Sequence, residues 1–285
     1  LAQTYPYWEL LVWDDGSSDN SSNFVSGFSD NRIKYFFDVN HGAAYARNRA
    51  IEKAKGKYIA FLDSDDVWNL SKLEEQVTVL DTYDHIDCLF SDFENINLES
   101  NEIGAGFSQN QRSFNVLFRK QMNEHIFLIE SGFNKSLAAG NYIATDSIII
   151  RQKVFEKVGL FCEDLRNSED FELWWRMGLA GVKFAFIDKI LLRRYKSSDN
   201  LSNSGLLATQ NTLKALELSQ KEALENNRED LLPFLCDRFR NVWQHFIVAY
   251  GNSQFLKPVI ESFVKSLNYG FRPGSAKLLM KALLK

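Results

Sequence analysis

Tyr58-Ile59-Ala60-Phe61-Leu62-Asp63-Ser64-Asp65-Asp66 is the stretch on which the fold turns. Its five apolar residues read as a buried strand, and the carboxylates that follow read as the C-terminal tip of that strand. In open α/β sheets ligands sit at this end. Clustered carboxylates repel one another, and a hard divalent cation, Mg²⁺ or Mn²⁺, relieves the repulsion through oxygen ligands. Mg²⁺ uses one or two protein carboxylates and completes its shell with substrate phosphates, so a metal-held nucleotide diphosphate is the first expectation.

Outward from this strand, Trp8-Glu9-Leu10-Leu11-Val12-Trp13 is a second strand candidate, ending in Asp14-Asp15-Gly16-Ser17. Ile33, Tyr35 and Phe37 alternate in a third. Ala43 to Lys55 is helix-rich, with Gly56 expected as a left-handed cap. Ser71 and Glu74 form a capping-box pattern ahead of the helix Lys72–Leu80. Asp87 to Phe90 is again strand-like. This alternation predicts an α/β domain: a Rossmann-like, mostly parallel sheet with helices on both faces. Residues 95–140 lack periodicity and are expected to be loops around a short helix. Ile143 to Ile150 resumes strand character, Arg151–Val158 reads as a helix stopped by Gly159, and Ser168-Glu169-Asp170 opens the helix Phe171–Ala180. Lys183 to Ile187 and Ile190 to Tyr195 look like final strands. From about Leu206 the pattern is helical. The division expected is a catalytic domain over 1–204 and a helical C-terminal region over 205–285.

The chain has 285 residues, 45% hydrophobic and 25% charged, with a net charge of −4, the ordinary balance of a globular protein with a full core. Cys88, Cys162 and Cys236 are far apart and show no paired spacing, which argues against a disulfide scaffold or zinc site and fits a reducing compartment. No apolar stretch reaches the length of a membrane span. Charge is uneven: residues 231–285 hold eight Lys/Arg against Asp237 and Glu261. An acidic body with a basic, aromatic-bearing tail points to different partners for the two parts. The tail either touches an anionic membrane surface or packs back on the domain. Leu1-Ala2-Gln3-Thr4-Tyr5 reads as the end of a helix already under way, as though a segment preceded it.

Asp14 and Asp15 end one strand, and Asp63, Asp65 and Asp66 end another, so one crevice can receive both. By itself, Asp14-Asp15-Gly16-Ser17 is equally a turn with Asx hydrogen bonds. Arg47 and Arg49 follow the Gly42 turn on a helix, where a guanidinium fork could clamp phosphate, although a helix-surface arginine fits the spacing as well. Glu169 and Asp170 in a first helical turn complement the macrodipole; the functional reading makes Asp170 a general base. Trp174-Trp175 fits core packing better than sugar stacking. The four histidines have no ligand spacing, and no phosphate-cradling glycine loop or nucleophile elbow occurs.

In this order, these pieces resemble the family 2 glycosyltransferases of the GT-A fold: Leu1-Ala-Gln-Thr-Tyr-Pro, Trp8-Glu-Leu-Leu-Val-Trp-Asp-Asp-Gly-Ser-Ser-Asp, Ala46-Arg-Asn-Arg-Ala-Ile, Gly56-Lys-Tyr-Ile-Ala-Phe-Leu-Asp-Ser-Asp-Asp and Ser168-Glu-Asp-Phe-Glu-Leu-Trp. The resemblance implies an inverting, metal-dependent transferase that moves a sugar from a nucleotide-sugar, usually a UDP-sugar, to a hydroxyl of a glycan or lipid-linked acceptor in cell-surface polysaccharide synthesis. Asp15, with Asp14 beside it, would contact the base. Asp63-Ser64-Asp65 would be the DXD-type motif, with Asp65 and Asp66 nearest the metal and ribose. Asp170 would be the catalytic base of a Glu169-Asp170 motif, and Arg47 stands in the family's Ala-Arg-Asn position. A cytoplasmic location, peripheral at the inner face of the membrane, and no nucleic-acid partner are expected. Two departures stand out. The family's first strand is missing ahead of Leu1, and no histidine occurs in Tyr195 to Ser202, where Lys196 is left to neutralise the leaving diphosphate. A catalytically impaired nucleotide-sugar-binding or scaffold protein is the alternative; a nucleotidyltransferase lacks its glycine-rich phosphate loop here.

Overall fold

The computed structural model describes residues 1–100, 102–104, 106–196 and 205–250. The elements run β1 (Leu10–Asp15), α1 (Ser21–Ser26), β2 (Ile33–Asp38), α2 (Ala43–Lys53), β3 (Tyr58–Ala60), β4 (Val67–Trp68), α3 (Lys72–Thr82), β5 (Cys88–Asn97), β6 (Ile103–Gly104) and α4 (Phe107–Asn110). They continue with β7 (Phe118–Gln121), β8 (Ile126–Ser131), α5 (Phe133–Ala139), β9 (Ile148–Arg151), α6 (Lys153–Val158), α7 (Glu169–Leu179), β10 (Phe184–Lys196), α8 (Gly205–Glu225) and α9 (Leu232–Tyr250).

The main sheet has the order β3-β9-β5-β10-β8-β7, with β4 on β10 and β6 on β5, while β1 and β2 form a separate parallel pair. The α/β class with flanking helices is as expected, but the sheet is mixed rather than mostly parallel. β10 runs parallel to β5, whereas β9 runs against both β3 and β5, and β8 against both β10 and β7. The β7–β8 pair has a local reason, since the two strands are joined by a tight turn, which permits only antiparallel pairing. β9 enters the sheet at the edge where β3 ends, with Ile149 opposite Ala60 and Arg151 opposite Tyr58. The residues just before β9 therefore arrive beside the acidic tip of β3.

Other local expectations change. Among the described residues, 95–140 hold the strands β6, β7 and β8 and the helices α4 and α5; β7 is a fully exposed edge strand and carries no alternating burial for a sequence reading to detect. The two final strands are one, β10, whose register shifts between Ile187 and Leu192 mark a bulge. Leu1 to Glu9 form no helix; the Thr4 N–H donates to the Leu70 carbonyl at 2.9 Å, tying the segment to the start of α3. Ala54, in extended backbone, ends α2 in place of a left-handed Gly56. Ser71 makes no capping bond, and Glu74 accepts instead from Thr4 Oγ1 at 2.6 Å.

Under one face, Phe90, Phe114, Tyr142 and Phe186 pack with Leu173, Trp174 and Trp175 of α7, and this core continues into Leu216, Leu235 and Phe239 of α8 and α9. Trp174 and Trp175 are fully buried, which excludes them from sugar stacking. The Trp175 Nε1–H donates to the Ser219 carbonyl at 3.0 Å, locking α7 to α8. The described part of the C-terminal region thus packs back on the domain; the basic stretch past residue 250 lies outside the described residues. The other face is covered by α3, with Val77 and Leu80 against Leu89, Ile149 and Ala185. No helix among the described residues is long and apolar enough to cross a membrane.

Candidate active site

At the tip of β1 both acids are satisfied from within. Asp14 accepts from the Tyr35 hydroxyl at 2.5 Å and from the Ser17 N–H at 2.7 Å. Burial alone pushes its carboxyl up, but these donors outweigh it and hold the group below its ordinary value. Asp15 accepts the backbone N–H groups of His41 and Gly42, each at 2.7 Å. It therefore clamps the loop from which α2 starts. Gly42 sits at φ 100, a backbone angle that a side chain would strain.

The tip of β3 is different. Carboxylate oxygens of Asp63, Asp66 and Asp146 lie within 4.8 Å of one another. Asp146 comes from the single turn of 3-10 helix Thr145–Ser147 that feeds β9. That turn is pinned from below: the Trp68 indole donates to the Asp146 carbonyl at 3.0 Å, and Gln76 Nε2 to the Ser147 carbonyl at 2.8 Å. Asp146 is 1% exposed, and neither of its carboxylate oxygens accepts from a hydrogen-bond donor among the described residues. Burial, then the neighbouring Asp66 and Asp63, push it far above the ordinary carboxylate range. Asp66 accepts from the Tyr195 N–H at 3.0 Å and from Arg194 Nε at 3.4 Å. Asp65 is exposed and lies outside this group of three, its carboxyl raised by partial burial and by Asp66 and Asp63. Three oxygen donors, one of them buried without a partner, fit a hard divalent cation.

One arginine connects these acids to α7. Arg47 stands one turn into α2 and donates from Nη2 to Asp63 at 2.7 Å and from Nη1 to Glu169 at 2.6 Å. Burial works against its charge, and the two carboxylates outweigh burial, so the guanidinium stays protonated. Glu169 is therefore committed to an ion pair, and Arg47 to holding two carboxylates. Arg49 pairs with Glu52 at 2.7 Å on the helix surface.

Asp170, next to Glu169, has no cationic partner at ion-pair distance among the described residues. It accepts from Asn141 Nδ2 at 2.9 Å and from the Phe171 N–H at 2.6 Å. Burial first, and the Glu169 charge second, push its carboxyl up to about 6 against those hydrogen bonds and Arg47. The residue before this pair, Ser168, is held in left-handed backbone at φ 64, a strained conformation for a non-glycine residue. Asp170 opens onto a cavity of about 130 Å³ lined also by Phe107, Asn141, Thr145 and Arg194. Arg194 borders the same cavity and reaches Asp66, so a single arginine links the cavity of Asp170 to the acidic cluster.

Asp146, Asn141 and Arg194 escaped the sequence reading. Asp146 carried a faint signal, as a lone acid in the apolar run Tyr142–Ile150. Arg194 belongs to the basic stretch Arg193-Arg194-Tyr195-Lys196 at the end of a strand. Lys196 sits near the Phe107 ring, 5.8 Å from its centroid, and burial and Arg194 lower its pKa.

This geometry can be set beside known proteins. The family model described as glycosyl transferase family 2 matches residues 1–157. The chain belongs to glycosyltransferase family 2. Among curated relatives, it is 45% identical over 121 residues to the Escherichia coli UDP-Glc:alpha-D-GlcNAc-diphosphoundecaprenol beta-1,3-glucosyltransferase WfgD, covering 42% of this chain and 47% of that protein. It is 30% identical over 226 residues to an uncharacterised glycosyltransferase of Rickettsia prowazekii, covering 79% of this chain and 63% of that one. The chain thus spans about half to just under two thirds of the length of these relatives. In architecture it is similar to the crystal structure of S. aureus TarS 1-349 in complex with UDP-GlcNAc, with a TM-score of 0.63 and 17% identity over 94% of this chain and 82% of the other. That likeness establishes the GT-A fold for this family 2 member.

Proposed function

We propose that this protein is an inverting glycosyltransferase that moves a sugar from a UDP-sugar to a hydroxyl of a lipid-linked or glycan acceptor in surface polysaccharide synthesis. The observation that carries this reading is the link between two sets of acids: Asp170, a carboxylate with a raised pKa and no ion-pair partner among the described residues, opens onto a cavity bordered by Arg194, which reaches Asp66 of the acidic cluster. WfgD, by its name, uses UDP-Glc and a diphosphoundecaprenol-linked acceptor, and the TarS complexes contain UDP-GlcNAc and UDP, which supports the donor and acceptor classes.

In this mechanism Asp170 accepts the proton of the acceptor hydroxyl as that oxygen attacks the anomeric carbon from the face opposite the nucleotide. Its raised pKa makes it a stronger base than an ordinary aspartate while leaving it ionised at neutral pH. Asn141 and the Phe171 N–H fix its orientation. Arg47 fixes Glu169 and Asp63, so that the base and the metal-binding strand tip stay in register. Asp63, Asp66 and Asp146 would hold Mn²⁺ or Mg²⁺, with Asp65 in the same turn available to the donor. The ion supplies Lewis-acid stabilisation of the departing diphosphate. Arg194 and Lys196 add positive charge on the same side. Asp15, and Asp14 behind it, shape the base pocket at the start of α2. One carboxylate suffices because a nucleoside diphosphate leaves without a proton, unlike the two-carboxylate chemistry of glycoside hydrolysis. We assign catalysis to residues 1–204 and see α8 and α9 as its buttress. A peripheral position at the inner membrane face follows from the acceptor class.

The test is UDP release from UDP-glucose and UDP-GlcNAc with Mn²⁺. Asp170→Asn is expected to lower turnover by about 10³-fold while calorimetric UDP affinity stays unchanged. Parallel loss of both would remove Asp170 from the role of base.

A further inference from the structure

A second and larger cavity, of about 550 Å³, lies where the end of α5 and the turn before α7 meet α8 and α9. Gly140, Asn167, Thr209, Thr212, Arg238 and Asn241 line it, and among its described lining residues only Arg238 is charged. Gly140 adjoins Asn141, which hydrogen-bonds Asp170, and Asn167 lies three positions before Asp170. This cavity therefore borders the base from the side of the C-terminal helices, whereas the smaller one is bordered by Arg194, which reaches the acidic cluster.

Arg238 is placed unusually for a cation. Its Nη1 donates to the Leu137 carbonyl at 3.0 Å, and its guanidinium lies 4.5 Å from the centroid of the Phe171 ring. It forms no ion pair among the described residues, and burial pushes its pKa down to about 10 against the attraction of Asp170. A half-buried cation without a carboxylate partner, in a wall whose other described residues are uncharged, is matched by an anionic ligand. Guanidinium forks suit phosphate oxygens in particular, since two parallel N–H bonds can be made at once.

We infer that this cavity seats the phosphate or diphosphate group of the acceptor, with Arg238 as its recognition residue. The acceptor is then a sugar phosphodiester or diphosphate that presents a hydroxyl to Asp170. The inference rests on the glycosyltransferase reading above and adds the acceptor's charge to it. Donor phosphates belong to the other cavity, beside Arg194 and the acidic cluster. The two anionic groups are thus kept on opposite sides of Asp170, where their mutual repulsion and that of the base are smallest.

The experiment compares two acceptors carrying the same sugar: an alkyl-linked sugar diphosphate and the neutral alkyl glycoside. Arg238→Gln is expected to raise KM for the diphosphate acceptor by about tenfold or more and to leave KM for the neutral glycoside unchanged. UDP affinity by calorimetry and the acidic limb of the kcat–pH profile should stay as in the wild type. Equal effects on both acceptors, or a shifted pH limb with unchanged KM, would show that Arg238 acts only through Asp170 and would overturn the inference. Arg238→Lys, which keeps charge without the fork, should fall between the wild type and Arg238→Gln. If the wild type transfers to neither acceptor, the failure belongs to the catalytic reading, and binding decides the subsite separately. Inorganic phosphate should then raise the Tm of the wild type and not that of Arg238→Gln, whereas equal shifts would contradict the site.

Discussion

The two strands that end in paired aspartates look alike in sequence and differ sharply in the folded chain. At the tip of β1, Asp14 and Asp15 have their oxygens met by Tyr35, Ser17, His41 and Gly42, and the pair does structural work on the loop before α2. At the tip of β3, Asp63 and Asp66 face a third acid, Asp146, which is buried and whose carboxylate meets no hydrogen-bond donor among the described residues. The first cluster is complete as it stands, while the second is electrostatically unfinished. Only the second calls for a cation. An acid's position at a strand end thus says less about its role than the donors around it do.

The largest expected effect falls on the unfinished cluster. Asp66→Ala should reduce metal-dependent turnover by about 10³-fold, the scale of losing several kcal/mol of Lewis-acid stabilisation; a rate within a few-fold of wild type would remove Asp66 from metal binding. Next is the arginine that ties this cluster to α7. Arg47→Gln leaves Glu169 and Asp63 without their cation and should cost about 3 kcal/mol in urea unfolding. An unchanged midpoint would mean that the bridge carries little of the site's rigidity.

Asp146→Asn sharpens the contrast because its sign depends on the metal. Without metal it removes a buried, unpartnered carboxylate, so Tm should hold or rise; with Mn²⁺ the stabilisation by the ion should shrink. Asp14→Ala is the converse and the smallest change. It should cost about 2 kcal/mol by removing two hydrogen bonds and leave Mn²⁺ affinity untouched.

The pH dependence has a definite direction. Asp170 is raised to about 6 and acts ionised, so kcat should be flat above neutrality and fall as pH drops through about 6. For stability the sign is opposite: a carboxyl raised in the folded state stabilises below its unfolded pKa and loses that contribution as pH rises through the folded value. A kcat profile flat down to pH about 4, the range of an ordinary carboxyl, would argue against burial of the base.

Much of this was legible from residue order. The strand–acid junctions at Asp14 and Asp63, the helix opening at Glu169-Asp170 and the α/β alternation all rest on short-range signals. What escaped depends on long-range pairing. Asp146 reaches Asp63 only because β9 runs antiparallel to β3 and begins at its tip. Arg47 bridges two carboxylates that lie 16 and 122 positions away in sequence. The edge strand β7 escaped because, exposed on both faces, it has no burial period to read. Arg238 stood out only as part of a basic tail, and its lack of an ion-pair partner among the described residues appears once α9 is packed.

The most direct test of the central claim is calorimetric titration of Mn²⁺ into the wild type, Asp14→Ala and Asp146→Asn. The account predicts equal affinity for the first two and a loss on the order of tenfold for the third, since affinity follows the count of ligand charges. Equal Mn²⁺ binding by Asp146→Asn and the wild type would contradict it.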